Sequence, residues 1–181
     1  LINNYENMVS MNFKKVGNKV LVIGKTIGHL DQSIFAREIL SEKKGPPPEI
    51  NLFNEKNNGQ TILDLINKNL IESCHDISLG GILIAISKMC IKSNKGFRIN
   101  QLKGLVNKFE YFFGEDQARY LIEINDSNLT KVKKILKENS VSFDELGAVS
   151  ENKLEFDSEI NLTIDDLNNA YKDWLRKYMV N

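Results

Sequence analysis

Apolar residues fall into short continuous runs that alternate with stretches of helical spacing. Lys19-Val-Leu-Val-Ile-Gly24 is an apolar run closed by glycine, the pattern of a buried strand. Asp31 stands where it would cap a following helix carrying Ile34, Phe35 and Ile39. The segment from Lys43 to Glu49 holds three consecutive prolines, which cannot continue a helix and favour polyproline II. It is expected to be a rigid surface connection inside one domain. A second helix is predicted from about Asn51 to Asn69, with Leu52, Phe53, Ile62, Leu63, Leu65 and Ile66 as its apolar positions and Gly59 as a point that weakens or splits it. Ile71 to His75 reads as a short strand entering a tight turn. Gly81 to Ile91 is apolar almost all round, which predicts a helix buried on most sides.

Farther along, Gly96 to Ile99 and Arg119 to Ile124 have strand character. Leu129, Val132, Ile135 and Leu136 have helical spacing, with Ser127 or Asn128 as the expected cap. Val141 to Leu162 alternates strand-like pieces with turns. In the last helix, Ile164, Leu167, Ala170, Tyr171, Trp174, Leu175 and Tyr178 share one face, and Thr163 with Asp166 forms an imperfect capping box. Strands alternating with helices predict an α/β (α+β) domain, a mixed β-sheet layered with helices. The expected division is residues 1–18 as linker and remnant of a preceding domain, and 19–181 as the domain itself. Leu1 in place of an initiating Met suggests an excerpt from a longer polypeptide.

Composition narrows the function classes. The 181 residues are 41% hydrophobic and 27% charged, which is globular rather than disordered. Lys+Arg and Asp+Glu both number 24, so no basic excess marks a nucleic-acid binder, and the Lys133–Lys134 pair reads as a solvated helix face. No apolar run approaches the roughly 20 residues that span a bilayer, and the given residues show no basic-then-apolar signal-peptide pattern. Cys74 and Cys90 are too few for a disulfide scaffold, so a reducing cytoplasm is expected.

Three polar clusters could carry chemistry. Gly28-His29-Leu-Asp-Gln32-Ser33 lies between a strand and a helix, where unpaired backbone N–H groups can seat an anion and Gln32 and Ser33 add donors. The plain alternative is a helix cap with a turn glycine. His75-Asp76-Ile-Ser78-Leu-Gly-Gly81 is again strand, turn, helix. Asp76 could hold a hard cation such as Mg²⁺, or Asp76 and Ser78 could cap the buried helix with His75 partly buried. Phe113-Gly-Glu115-Asp-Gln117-Ala-Arg119 offers carboxylates, an amide and a guanidinium. Arg119 would either clamp an anion or pair with Glu115. Gly24-Lys25-Thr26 imitates the end of a P-loop, but Lys19 occupies the position of the required glycine. No nucleophile–base arrangement is visible.

In order, these clusters together with Gly45-Pro-Pro-Pro48 and the tail Ala170-Tyr-Lys-Asp-Trp-Leu175 resemble the C-terminal domain of the phosphoribosylformylglycinamidine synthase large subunit. The resemblance runs from about Val20 to Met179. It implies an aminoimidazole ribonucleotide synthetase C-terminal domain-like fold. It also implies membership of a cytoplasmic ATP- and Mg²⁺-dependent ligase that converts formylglycinamide ribonucleotide and glutamine-derived ammonia to formylglycinamidine ribonucleotide. The implied partners are the preceding domains of the same subunit, a glutaminase subunit and a small bridging subunit. The family's catalytic histidine and main ATP contacts lie in domains outside this chain, so no catalytic residue is assigned here.

By likeness to the related domain of the family's first half, Asp76 matches a Mg²⁺ ligand, and Glu115 and Gln117 match substrate contacts. His29, Gln32, Ser33, Gly28, His75, Ser78 and Arg119 complete the pocket candidates. The chain resembles the second-half copy, which faces an auxiliary nucleotide site. Leu79 stands where the family usually has Asp, Asp31 where it has Gly and Ala118 where Gly is common, which favours an architectural, degenerate pocket. The alternatives are a C-terminal domain of another superfamily member, or a non-catalytic interaction module.

Overall fold

The structure, a computed structural model, describes residues 7–101 and 107–180, the side chains of residues 174–177 excepted. Leu1, Trp174 and Leu175, singled out above, therefore lie outside the described side chains. The elements are β1 (Lys19–Ile23), α1 (Ile34–Glu38), α2 (Leu52–Asn67), β2 (Ser73–Asp76), α3 (Gly81–Ser93), β3 (Gly96–Ile99) and α4 (Lys108–Phe113). They continue with β4 (Tyr120–Ile124), α5 (Asp126–Glu138), β5 (Phe143–Ser150), β6 (Lys153–Phe156), β7 (Ile160–Thr163) and α6 (Ile164–Val180).

The strands form one mixed sheet in the order β2-β4-β1-β5-β3-β6-β7. β1 sits near its middle, antiparallel to both β4 and β5, while β3 and β6 run parallel. Alternation along β1 divides the core in two. Val20 and Val22 face Ile82, Ile86 and Met89 of α3 and Phe112 of α4. Leu21 and Ile23 face Ile62 and Leu65 of α2 and Val132 and Leu136 of α5. Each of these buried aliphatic side chains contributes about 1.5–3 kcal/mol relative to exposure. The layered α/β expectation holds.

Several local expectations change. The cap of α1 is Ser33, whose Oγ accepts from the Ala36 N–H at 3.1 Å, not Asp31. The cap of α5 is Asn125, accepting from the Asn128 N–H at 2.9 Å, not Ser127 or Asn128. Gly59 does not split α2, which runs unbroken. Leu52, Phe53 and Leu63 on that helix are exposed, at 78%, 74% and 53%, so its buried face is narrower than the apolar count suggests. At α6 the capping box forms: the Thr163 N–H donates to Asp166 Oδ2 at 2.9 Å and the Asp166 N–H to Thr163 Oγ1 at 3.1 Å. Helix α4 was not foreseen. Asn107 caps it, and Phe112 meets Phe156 edge-on at 5.1 Å between ring centroids.

The segment ahead of β1 is also bound into the domain. Phe13 is buried and stacks on Phe97, and the Ser10 carbonyl accepts from the Cys74 N–H at 3.1 Å. Glu123 on β4 is fully buried. Its carboxylate accepts from the backbone N–H groups of Lys14 and Lys15, Asn18 Nδ2 and Ser73 Oγ, all within 3.1 Å. Four donors, the Lys14 N–H shared between both oxygens, replace the hydration of a carboxylate that has no cationic partner among the described residues. Residues from Ser10 to Asn18 thus pack onto the sheet that begins at Lys19.

Candidate binding cleft

Two adjacent carboxylates draw the polar turns together. Asp116, 5% exposed, accepts through Oδ2 from the Ile27 and Gly28 N–H groups at 3.0 and 2.9 Å, and through Oδ1 from the His29 N–H at 3.1 Å. Glu115 Oε1 accepts from the N–H of Ile34, the first residue of α1, and from the N–H of Gly80, just before α3, both at 2.8 Å. The Glu115 N–H in turn donates to the His29 carbonyl at 2.9 Å. Charge-assisted bonds to backbone donors are the stronger kind, and they anchor otherwise irregular chain. The loops approach closely because Gly28 has no side chain. At its φ of +88° a Cβ would fall 2.6 Å from Glu110 Cβ.

Arg119 braces the same corner from beneath. It is 2% exposed, with Nη2 donating to the Gly114 carbonyl at 2.6 Å, Nε to the Asp116 carbonyl at 3.2 Å and Nη1 to Thr26 Oγ1 at 3.3 Å. Its carboxylate neighbour is Asp116, with Nη1 3.6 Å from Oδ2, rather than Glu115. Burial pulls the guanidinium below its ordinary pKa, and Asp116, then Tyr111 and Glu115, oppose that shift. The group stabilises the turn; it is not presented to a ligand.

His29 and Gln32 hold the proline segment. His29 Nε2 lies 3.0 Å from the Pro46 carbonyl, and Gln32 Nε2 donates to the Gly45 carbonyl at 3.0 Å. Ser33 is fully buried with its hydroxyl committed to the cap. The result is an open cleft of about 380 Å³, within the usual size of small-molecule sites. Lys25, Ile27 and His29 line one side, Pro48 and Glu49 another, Asn51, Asn54 and Asn58 of the α2 end a third, and Asp116, Gln117 and Ala118 the floor.

Of the residues singled out in the sequence, His29 and Gln117 line this cleft. Gly28, Gln32, Ser33, Glu115 and Arg119 shape it from behind. His75, Asp76 and Ser78 are not among its lining residues. The side chain of Asp76 is 67% exposed, with His75 Nδ1 3.4 Å away. Neither Asp76 nor Ser78 caps α3: the cap is Gly80, at φ +85°, with no side-chain bond. Burial, the largest cause, and Lys88 hold His75 below its ordinary pKa, with Asp76 acting the other way. Among the described residues no group of three or more His, Cys, Asp or Glu could hold a metal ion. One exposed carboxylate falls short of the oxygen ligand set a hard cation takes, so Asp76 and its described neighbours do not by themselves complete a Mg²⁺ site.

Sequence reasoning missed Lys25, Asn51, Asn54 and Asn58. The asparagines were discoverable: spaced three and then four apart, they form a polar stripe on one helix face. Lys25 was set aside with the failed P-loop. Ala118 has φ +56°, in the left-handed region, which explains why glycine suits that position.

The molecule is thus a layered α/β domain whose loops, braced from behind, border an open cleft. The chain belongs to the family "AIR synthase related protein, C-terminal domain", whose model matches residues 15–157. It is 60% identical over its full length to the phosphoribosylformylglycinamidine synthase subunit PurL of Pelagibacter ubique, and covers 25% of that protein. It is 38% identical to the same subunit of Bartonella bacilliformis, again over its full length and 24% of the relative. The chain thus spans about a quarter of these relatives. Among solved structures, T. maritima PurL complexed with FGAR superposes with a TM-score of 0.72 at 19% identity, covering 90% of this chain and 30% of that one. The HypE–HypF complex gives 0.60 at 16% identity, covering 86% and 54%. Among the described residues no helix is long and apolar enough to cross a membrane.

Proposed function

We propose that this chain is the C-terminal domain of the second half of an ATP-dependent synthase. That enzyme makes formylglycinamidine ribonucleotide from formylglycinamide ribonucleotide and glutamine-derived ammonia in the cytoplasm. The reading rests most on the 60% identity along the whole chain to a subunit bearing the synthase's name. The domain's role is architectural: it supplies one wall of an auxiliary nucleotide site and has no turnover of its own. Its cleft carries opposite formal charges on Lys25 and Glu49 and lacks a set of cations for a triphosphate. The phosphates and Mg²⁺ are therefore assigned to other domains of the same polypeptide.

Exposed Ile50, Leu52 and Phe53, at 62%, 78% and 74%, stand beside the cleft-lining asparagines. An apolar group of this kind suits contact with the preceding domains. A glutaminase subunit and a small bridging subunit complete the assembly.

The test is paired. The isolated chain, given formylglycinamide ribonucleotide, ATP, Mg²⁺ and ammonia, is expected to form no product. The full-length subunit is expected to restore growth without purines in a strain lacking its own synthase, and to fail once this domain is deleted. Turnover by the isolated chain would overturn the architectural role. Full complementation by the subunit without it would overturn the assignment.

A further inference from the structure

Asn58 is 6% exposed, and its Nδ2 donates to the Ala118 carbonyl at 2.9 Å. A carbonyl only accepts, so the amide orientation is fixed and Oδ1 must be the atom turned away from it. No partner for Oδ1 exists among the described residues. Yet no buried side-chain oxygen or nitrogen is both sealed from solvent and unpartnered. Oδ1 therefore opens into the cleft that Asn58 lines. A nearly buried acceptor held in one orientation by its own amide nitrogen is preorganised for a donor.

The surroundings decide what kind of donor. The Pro46 carbonyl likewise only accepts, so His29 Nε2 carries the hydrogen in that bond. The Asp116 carboxylate is occupied by three backbone N–H groups beside Arg119. Asn54 and Gln117 add amides, and Lys25 is offset by Glu49. The wall is amide-rich, with one lysine against the carboxylates of Glu49 and Asp116, the latter paired with Arg119 behind it. A multiply charged anion would find one lysine, opposed by a carboxylate.

We infer that this cleft takes an uncharged planar group presenting an NH₂ edge, with Asn58 Oδ1 accepting from that edge. The chemistry has two sources, a 6-aminopurine and a primary carboxamide. The inference rests on the proposed role of the cleft as a ligand wall and specifies which part of a ligand meets it.

Calorimetric titration of the 181-residue chain separates the outcomes without altering the protein. The probes are adenosine against inosine, which lacks the amino group, and glutamine against its γ-methyl ester, which lacks the amide NH₂. Inorganic pyrophosphate serves as the charged probe. One amino-bearing probe is expected to bind, and its counterpart at least about tenfold more weakly, because a buried acceptor is left unpaired. Whichever pair shows the difference names the source. Counterparts that bind within twofold of each other, pyrophosphate that outcompetes both amino probes, or no heat from either amino probe would each overturn the inference. The complementation assay reads purine synthesis, so failure here is distinguishable from failure of the proposed function.

Discussion

Replacing Asp116 with Asn tests whether this carboxylate gathers the loops. The substitution keeps the shape and converts one acceptor oxygen into an NH₂ group. Placed at the Oδ1 position, that group opposes the His29 N–H; placed at Oδ2, it opposes both the Ile27 and Gly28 N–H groups. The first arrangement loses one charge-assisted bond, about 1.5–3 kcal/mol, and weakens the other two. The second consequence is larger. Arg119, whose side chain has no exposure, loses the carboxylate 3.6 Å away, and removing one partner of a buried pair costs about 3–5 kcal/mol. The two terms overlap, so the expected loss is about 4 kcal/mol, or about 8–16 °C in Tm for a domain of this length. Urea unfolding followed by far-UV circular dichroism measures it, and an unchanged m-value would keep the change in the native state. Combining Asp116→Asn with Arg119→Met should recover part of the loss, since the stranded charge is gone. A single-variant loss below about 1 kcal/mol, or a double variant less stable than Asp116→Asn, would refute the reasoning.

Other expectations follow from individual positions. Ala118→Gly should be neutral or stabilising by up to about 1 kcal/mol in the same urea assay, against the usual sign, because φ +56° strains a side chain there. His75 is held below its ordinary pKa of 6.5, so the unfolded chain binds its proton more readily. Its contribution is present above that value and is lost as pH falls below it. His75→Asn should flatten the decline of urea midpoints on the acid side of a series over about pH 5–8; an unchanged slope would count against the burial argument. Thr163→Ala removes one half of the α6 capping box and should cost about 1 kcal/mol, with faster amide exchange confined to the first turn of that helix.

The sequence displays the sheet more readily than the cleft. β1 and β4 are apolar runs because both faces of the sheet are covered there, and α3 is apolar all round because it lies against α4, α6 and the sheet. Caps were harder to assign. Asp31 and Ser33 are both good capping residues, and only the backbone path chooses Ser33. Helix α4 is one short turn-and-a-half of mostly aromatic residues, with little intrinsic helix preference, and it is held by contacts distant in sequence such as Phe112 on Phe156 and Phe113 on Phe35.

Glu123 shows what local pattern cannot carry. A carboxylate inside an apolar strand suggests a solvent-facing position, yet its donors come from Lys14, Lys15 and Asn18, more than a hundred positions earlier, and from Ser73, fifty positions earlier. In the same way, Glu115 and Asp116 look like ligand groups in the sequence. Their proximity to the turns was foreseeable only through the family likeness, and their engagement with backbone N–H groups required the structure. Gln117, one residue on, is left facing the cleft.

The shared cleft is most directly tested by amide chemical-shift mapping of the whole chain during titration with adenosine and, separately, with glutamine, read for whichever of the two binds. Shifts should concentrate at Lys25–His29, at Asn54 and Asn58, and at Gln117–Ala118, the groups that the two braced loops and the α2 end bring together. Shifts centred instead on Asp76–Gly81 or on the Arg98–Glu155 face, or none at saturating ligand, would contradict the assignment of this cleft.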